Sequence, residues 1–228
     1  MIFNKANITD MLTRITDRRT HCIGCGTCCL KGGPVLHRED KKILLSGYAG
    51  HMHLVTIRTG EMAYNPLKDS LEPVPMELIK VAGKGDGWSC VFYNEKESCC
   101  NLYEHRFLEC RLLKCWDPSD LISVIYRDTI RRADIINADD PIMEVIALHE
   151  KECPHNKINT LVSALSDAKN RKGILSELSG FVQADLSLRV HALSKLGLGQ
   201  EFELFIFGRP LYRILADRGL SVHELQPQ

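Results

Sequence analysis

The feature that most constrains this chain is Cys22-Ile-Gly-Cys25-Gly-Thr-Cys28-Cys29, four thiols within eight residues. Burial of small apolar side chains gives no reason for that spacing. A Cys-x2-Cys-x2-Cys loop does, because it lets three thiolates converge on one centre. Gly24 and Gly26 free the backbone to bend around whatever the thiols hold. About seventy residues later a second run follows: Cys90, Cys99, Cys100, Cys110 and Cys115, ending in Cys-Trp-Asp-Pro. The fold therefore has to bring two distant cysteine runs together, with the rest of the chain framing the site.

Two chemistries compete for these residues. The loop spacing is that of bacterial ferredoxin-type clusters, whose remaining ligand comes from elsewhere, and Cys153-Pro154 resembles such a remote ligand. Zinc takes four thiolates in a closed tetrahedral site, often from Cys-x2-Cys arms. The candidate metal ligands are Cys22, Cys25, Cys28, Cys29, Cys90, Cys100, Cys110, Cys115 and Cys153. This set exceeds one zinc site, which favours an iron–sulfur cluster of the 4Fe-4S type, with Zn as the alternative. Cys28 and Cys29 are adjacent, so one of them is expected to serve a second centre or stay free. Cys99 reads equally well as a small apolar residue. Of the histidines, His21 and His155 lie closest to cysteines and are the first to check.

Composition narrows the function classes. The formal net charge is zero, which argues against a nucleic-acid partner. Arg127, Arg131 and Arg132 alternate with Asp128 and Asp134 and read as a solvated helix face. No run approaches the ~18–20 apolar residues that span a membrane, and the N-terminal residues lack the pattern of a secretion signal. A cytoplasmic protein is expected, in which ten cysteines stay reduced and are available to metal rather than disulfides. No phosphate-binding loop, nucleophile elbow or paired carboxylate stands out, so no catalytic residue is assigned.

The elements read as α+β, mainly helical. A helix over 6–19 leads to the cysteine loop, and His37 to Leu45 forms a short helix with Ile43 and Leu44 inward. The segments 53–58, 78–81 and 88–93 are β-branched and aromatic, separated by Gly and Pro turns, and predict a small antiparallel sheet or a pair of hairpins. Gly83–Gly87 and 94–98 are the hairpin turns. Helices follow from Asn101 through Cys110, and after Pro118 with apolar positions at Leu121, Ile122, Ile125 and Ile130. Asp140-Pro141 starts a further helix by the N-cap and N1 preferences. Two more cover 157–168 and 174–196, and a last one follows Gly208-Arg-Pro210. This divides the chain into a cysteine-cluster domain, 1–118, and a helical C-terminal region, 119–228, packed on it and available to an unidentified protein partner.

Taken in order, Cys22-x2-Cys-Gly-x-Cys-Cys, Cys90-Val-Phe-Tyr, Cys100-x-Leu-Tyr-Glu-His-Arg106 and Cys110-Arg resemble the YkgJ-type cysteine-cluster proteins, also described as a zinc- or iron-chelating domain. The likeness covers about residues 21–116. It implies that Cys22, Cys25, Cys28, Cys29, Cys90, Cys100 and Cys110 are the cluster positions, with Cys115 and Cys153 as additions of a subgroup. Phe107 stands where that family usually has proline. A related branch resembles the flagellin lysine N-methylases, which pair such a cluster with methyl transfer from S-adenosylmethionine. No glycine-rich cofactor loop is present here to match that activity.

Overall fold

The pairing that anchors the fold joins β1 (Leu54–Ile57) to β4 (Leu78–Val81), antiparallel, with Leu54 opposite Val81 and Ile57 opposite Leu78. Leu54, Val55, Thr56, Leu78, Ile79 and Val81 are all buried, so this two-stranded ribbon is covered on both faces. A computed structural model describes residues 20–85, 87–166 and 170–221. The helix expected over 6–19 lies outside them. Among the described residues no helix is long and apolar enough to cross a membrane.

The other strands are short two-stranded hairpins: β2 (Met62–Asn65) with β3 (Ser70–Pro73), β5 (Gly83–Lys84) with β6 (Ser89–Cys90), and β7 (Tyr93–Asn94) with β8 (Cys99–Cys100). The turns expected at Gly83–Gly87 and 94–98 are the turns of the last two. The β2–β3 hairpin lies where the sequence marks only turns. Its strands carry Asn, Ser and Pro, which lower the strand signal, and Pro73 is tolerated because the hairpin is not extended by a further strand.

The helices are α1 (Thr27–Leu30), α2 (Lys41–Leu45), α3 (Leu108–Leu112), α4 (Ser119–Val124), α5 (Pro141–Glu152), α6 (His155–Ala164), α7 (Arg171–Leu196), α8 (Glu203–Phe207) and α9 (Leu211–Ala216). The architecture is α+β, with small antiparallel pairs and a helical C-terminal half. Asp140 caps α5 as its sequence implies, its Oδ1 accepting from the Ile142 amide at 3.0 Å, with Pro141 in the first turn. Two helices are shorter than expected. The one from Asn101 starts only at Leu108, after a 3-10 turn at Tyr103–His105. The one after Pro118 stops at Val124. Beyond it Tyr126 and Asp128 take left-handed backbone angles, which an α-helix cannot contain. The chain turns there so that Thr129 bridges to His37 and Ile130 enters the core.

This turn corrects the reading of the arginines. Arg127 and Arg131 are exposed, but Arg132 is buried and lies in no α-helix. Its guanidinium meets Glu77 Oε2 at 2.6 Å and Glu150 Oε1 at 2.7 Å and donates to the Ile206 carbonyl. Arg58, fully buried, forks onto both oxygens of Glu150 at 2.9 Å and donates to the Cys153 carbonyl at 2.7 Å. Burial pushes the Glu150 carboxyl up, but the two guanidiniums outweigh it and hold it at about 2. Arg189 completes the network, bonding Asp185 at 2.9 Å and the carbonyls of Phe207, Gly208 and Arg209. These ion pairs tie β1 to the helical half.

Two apolar clusters flank the network. One joins Leu36, Leu54, Ile79, Phe92, Phe107, Ile130 and Ile146 to Phe205, Ile206 and Phe207 of α8. The other gathers Cys153, Ile158, Ile174, Leu178, Leu211 and Leu215. Gly208 ends α8 at φ 71°, ψ −163°, and a Cβ there would sit 2.5 Å from the Thr56 carbonyl of β1, so glycine is required.

His155 is buried with neither ring nitrogen hydrogen-bonded, its Nε2 3.8 Å from Glu61. Burial and the adjacent Arg58 charge push it down to about 3. In the unfolded chain a histidine titrates near ~6.5. Its contribution is therefore complete above that pH and lost as pH falls toward 3. His155→Phe should leave stability at pH 7 within about 1.5 kcal/mol of wild type and flatten the acid slope of urea-unfolding free energy in that window. An unchanged slope would refute this assignment.

Candidate metal centre

The cysteine loop turns through Gly24 and Gly26, both left-handed at φ 68° and 72°. Gly26 precedes α1, and its carbonyl accepts from the Leu30 amide at 2.9 Å. A Cβ on Gly26 would fall 2.1 Å from the Tyr93 hydroxyl, so the loop can lie on the Tyr93 ring only because this residue is glycine. α1 then packs against β6, which ends at Cys90. β8 supplies Cys99 and Cys100, α3 supplies Cys110, and the chain just beyond α3 supplies Cys115.

All these elements face one chamber of about 320 Å³, lined by Cys22, Cys25, Cys28, Cys29, Cys90, Cys99, Cys100, Cys110 and Cys115. Eight of the nine sequence candidates are thus brought together, with Cys99 added. Cys99 was not distinguishable by spacing; its only signal is that it pairs in a hairpin beside Cys100. Cys22, Cys25 and Cys99 are exposed, Cys90 is buried, and the other five are intermediate.

Cys28 and Cys29 face the same chamber. Their Sγ atoms lie 3.9 Å apart and both line the chamber. Two thiolates on one tetrahedral ion with ~2.3 Å metal–sulfur bonds stand about 3.8 Å apart, so adjacency does not prevent a shared centre. The hydrogen bond between the two thiols holds Cys28 at about 6 and raises Cys29. Burial raises Cys90 and Cys110, and neighbouring thiolates raise them further. Such a set ionises fully only when a cation neutralises it, which is the behaviour of a thiolate metal site. The Arg106 guanidinium, 4.2 Å above the Tyr103 ring, lines the same chamber and favours the first thiolate on Cys28.

Histidines contribute packing at the positions described. His53 tilts over Phe92, His51 stacks on Phe205, and His105 stacks on Tyr48. His21 is exposed and His155 is buried beside Glu61. Neither lines the chamber.

Cys153 stands apart from the other nine. It is fully buried at the end of α5, where His149, Cys153 and Asp185 place donor atoms within 4.8 Å of one another. Asp185 is already engaged: its Oδ1 accepts from His149 Nε2 at 2.6 Å and from Arg189, and its Oδ2 from the Leu211 amide at 2.9 Å. Burial raises Cys153 to about 12. This group, with Arg58 and Arg189 adjacent, fastens α5 to α7 and to the start of α9 through a buried polar network in which His149 Nδ1 and Arg58 Nη1 have no hydrogen-bond partner.

No curated protein and no solved structure matches the chain. A family model does, described as "CxxCxxCC: Putative zinc- or iron-chelating domain", over residues 21–154. That span is more than half of the chain and includes every cysteine, Cys153 among them, so it reaches beyond the likeness read from the motifs. With the thiol chamber described, the conclusion is that this chain belongs to the CxxCxxCC family of zinc- or iron-chelating domains.

Proposed function

We propose that the chamber holds an iron–sulfur cluster, of the 4Fe-4S type, and that the protein uses it for electron transfer in the cytoplasm. The observation that carries this is nine thiols around one chamber of about 320 Å³. A structural zinc ion is enclosed by four ligands, and one water occupies only ~30 Å³ in the liquid. The thiol count and the volume both exceed the needs of one ion. Bound there, the cluster would supply one-electron redox chemistry. The chain's own residues would hold it by thiolates from α1, β6, β8 and α3, with Cys22, Cys25 and Cys99 on the exposed side where electrons enter and leave. Arg106 would offset part of the thiolate charge.

The alternative reading is a zinc-stabilised module whose helical region, 119–228, docks a protein partner. Adjacent Cys28 and Cys29 at tetrahedral spacing favour it. Anaerobic purification with elemental analysis and a visible spectrum separates the two. Brown protein with iron and acid-labile sulfide is the expected result. Colourless protein with stoichiometric zinc would reject the cluster.

A further inference from the structure

An apolar groove runs along α4 and adjoins the thiol chamber. The two share Gly33, Glu109, Leu113, Cys115 and Leu121, while Val35, Leu78, Ile122 and Ile125 extend the apolar wall away from the thiols. α4 carries Leu121, Ile122 and Val124, with Ile125 just beyond it. None of its residues is buried by the described residues, and Ile122 is 43% exposed. Two ionic groups of the groove are engaged within the fold. Glu109 accepts from the Val35 amide at 2.8 Å, and Lys114 meets Asp120 at 2.5 Å. What the groove offers is apolar area.

The segment 6–19 lies outside the described residues, and its sequence carries a matching stripe. Ile8, Met11, Leu12 and Ile15 recur at i, i+3, i+4 and i+7, the anchor spacing of a helix laid in a groove. Asp10, Thr13 and Asp17 fall on the opposite side of such a helix. Chain connectivity brings this stripe to the groove. The segment leads through Thr20 and His21 into Cys22, and Cys22 lines the same chamber as Leu113 and Leu121. Fourteen helical residues span about 21 Å, enough to run from the chamber along α4.

We propose that the segment 6–19 docks as an amphipathic helix in this groove, its apolar stripe against Ile122 and Ile125. A second copy of the chain is the competing occupant. A tethered segment meets the groove at an effective concentration on the order of millimolar, so at micromolar protein the same chain fills it. Docking there also fixes the exposed end of the cysteine loop, because only two residues separate the segment from Cys22. The groove is built of protein atoms alone and does not depend on whether the chamber holds iron or zinc.

Photo-crosslinking of the full-length, metal-loaded protein at micromolar concentration tests this, with p-benzoylphenylalanine replacing either Leu12 or Asp10 and metal content measured on each sample. From position 12, crosslinks to peptides spanning 113–126 are expected in a species of monomer mass. From position 10, on the opposite side, their yield should be at least tenfold lower. Ile122→Asp, at an exposed residue outside the thiol chamber, should lower the position-12 yield at least tenfold with metal content unchanged. Hydrogen exchange gives an independent reading: amides of 8–15 should exchange at least tenfold faster in Ile122→Asp than in wild type. Crosslinks of dimer mass, crosslinks to other segments or none, equal yields from the two positions, or exchange unaffected by Ile122→Asp would each overturn the proposal.

Discussion

Arg132→Met should lower the unfolding free energy by about 3–5 kcal/mol, because one change leaves the Glu77 carboxylate without its guanidinium and takes one of two from Glu150. The Arg132 side chain is 2% exposed and bridges Glu77 to Glu150, while its remaining donor reaches the Ile206 carbonyl on α8. Methionine replaces the volume but none of the donors, so Glu77 and Ile206 lose bonds in a site water reaches poorly. For a chain of this length a change of 1 kcal/mol moves the midpoint by ~2–4 °C, so the loss should appear as a fall of roughly 10 °C or more. Arg127→Met, on an exposed residue of the same sequence cluster, should stay within ~0.5 kcal/mol. Equal effects of the two would refute the role given to Arg132. The network also sets an acid limit. Glu150 and Asp185, both held at about 2, contribute stability that is complete above the usual carboxylate range and is lost as pH falls toward 2.

Cys110→Ser should reduce bound metal far more than Cys153→Ser, and this is the second large effect. Cys110 faces the chamber from α3 together with Cys90 and Cys28, and burial holds its proton until a cation displaces it. Serine offers a poor ligand for a soft thiolate site. Changes in residues that merely orient ligands cost ~10–100-fold in metal affinity, and removal of a ligand should cost at least that. Cys153 instead packs against Ile158 and Leu178, so Cys153→Ser should keep full metal content while lowering stability by burying a hydroxyl. Elemental analysis of both variants after gel filtration decides the point. Metal lost equally from Cys153→Ser would return Cys153 to the ligand set and reopen the geometry of the chamber.

The cysteine runs show how much a site can be written locally. Cys22, Cys25 and Cys28 carry their meaning in a fixed spacing, because the curvature that gathers them spans only a few residues. Gly26 is equally local in its left-handed backbone, but the reason it must lack a side chain is Tyr93, far away in sequence. Cys99 and Cys153 could not be sorted by sequence alone. One joins the chamber through a hairpin register, Asn94 opposite Cys99, and the other is carried away on the end of α5. A lone cysteine bears no spacing from which its partners can be inferred.

The division is the same in the fold. Sequence by itself determined the cysteine loop, the hairpin turns at Gly83–Gly87 and 94–98, the capped start of α5 and the long helix α7, because each rests on interactions within a few residues. Only the tertiary structure decided that Cys28 and Cys29 share one chamber, that Arg132 is buried while Arg127 is not, and that an apolar groove along α4 adjoins the thiols. Each of those depends on which distant segments meet: α8 against β1, α3 beside the cysteine loop, Glu77 and Glu150 on either side of a guanidinium. Charge and burial are properties of that meeting, and no window of sequence contains it.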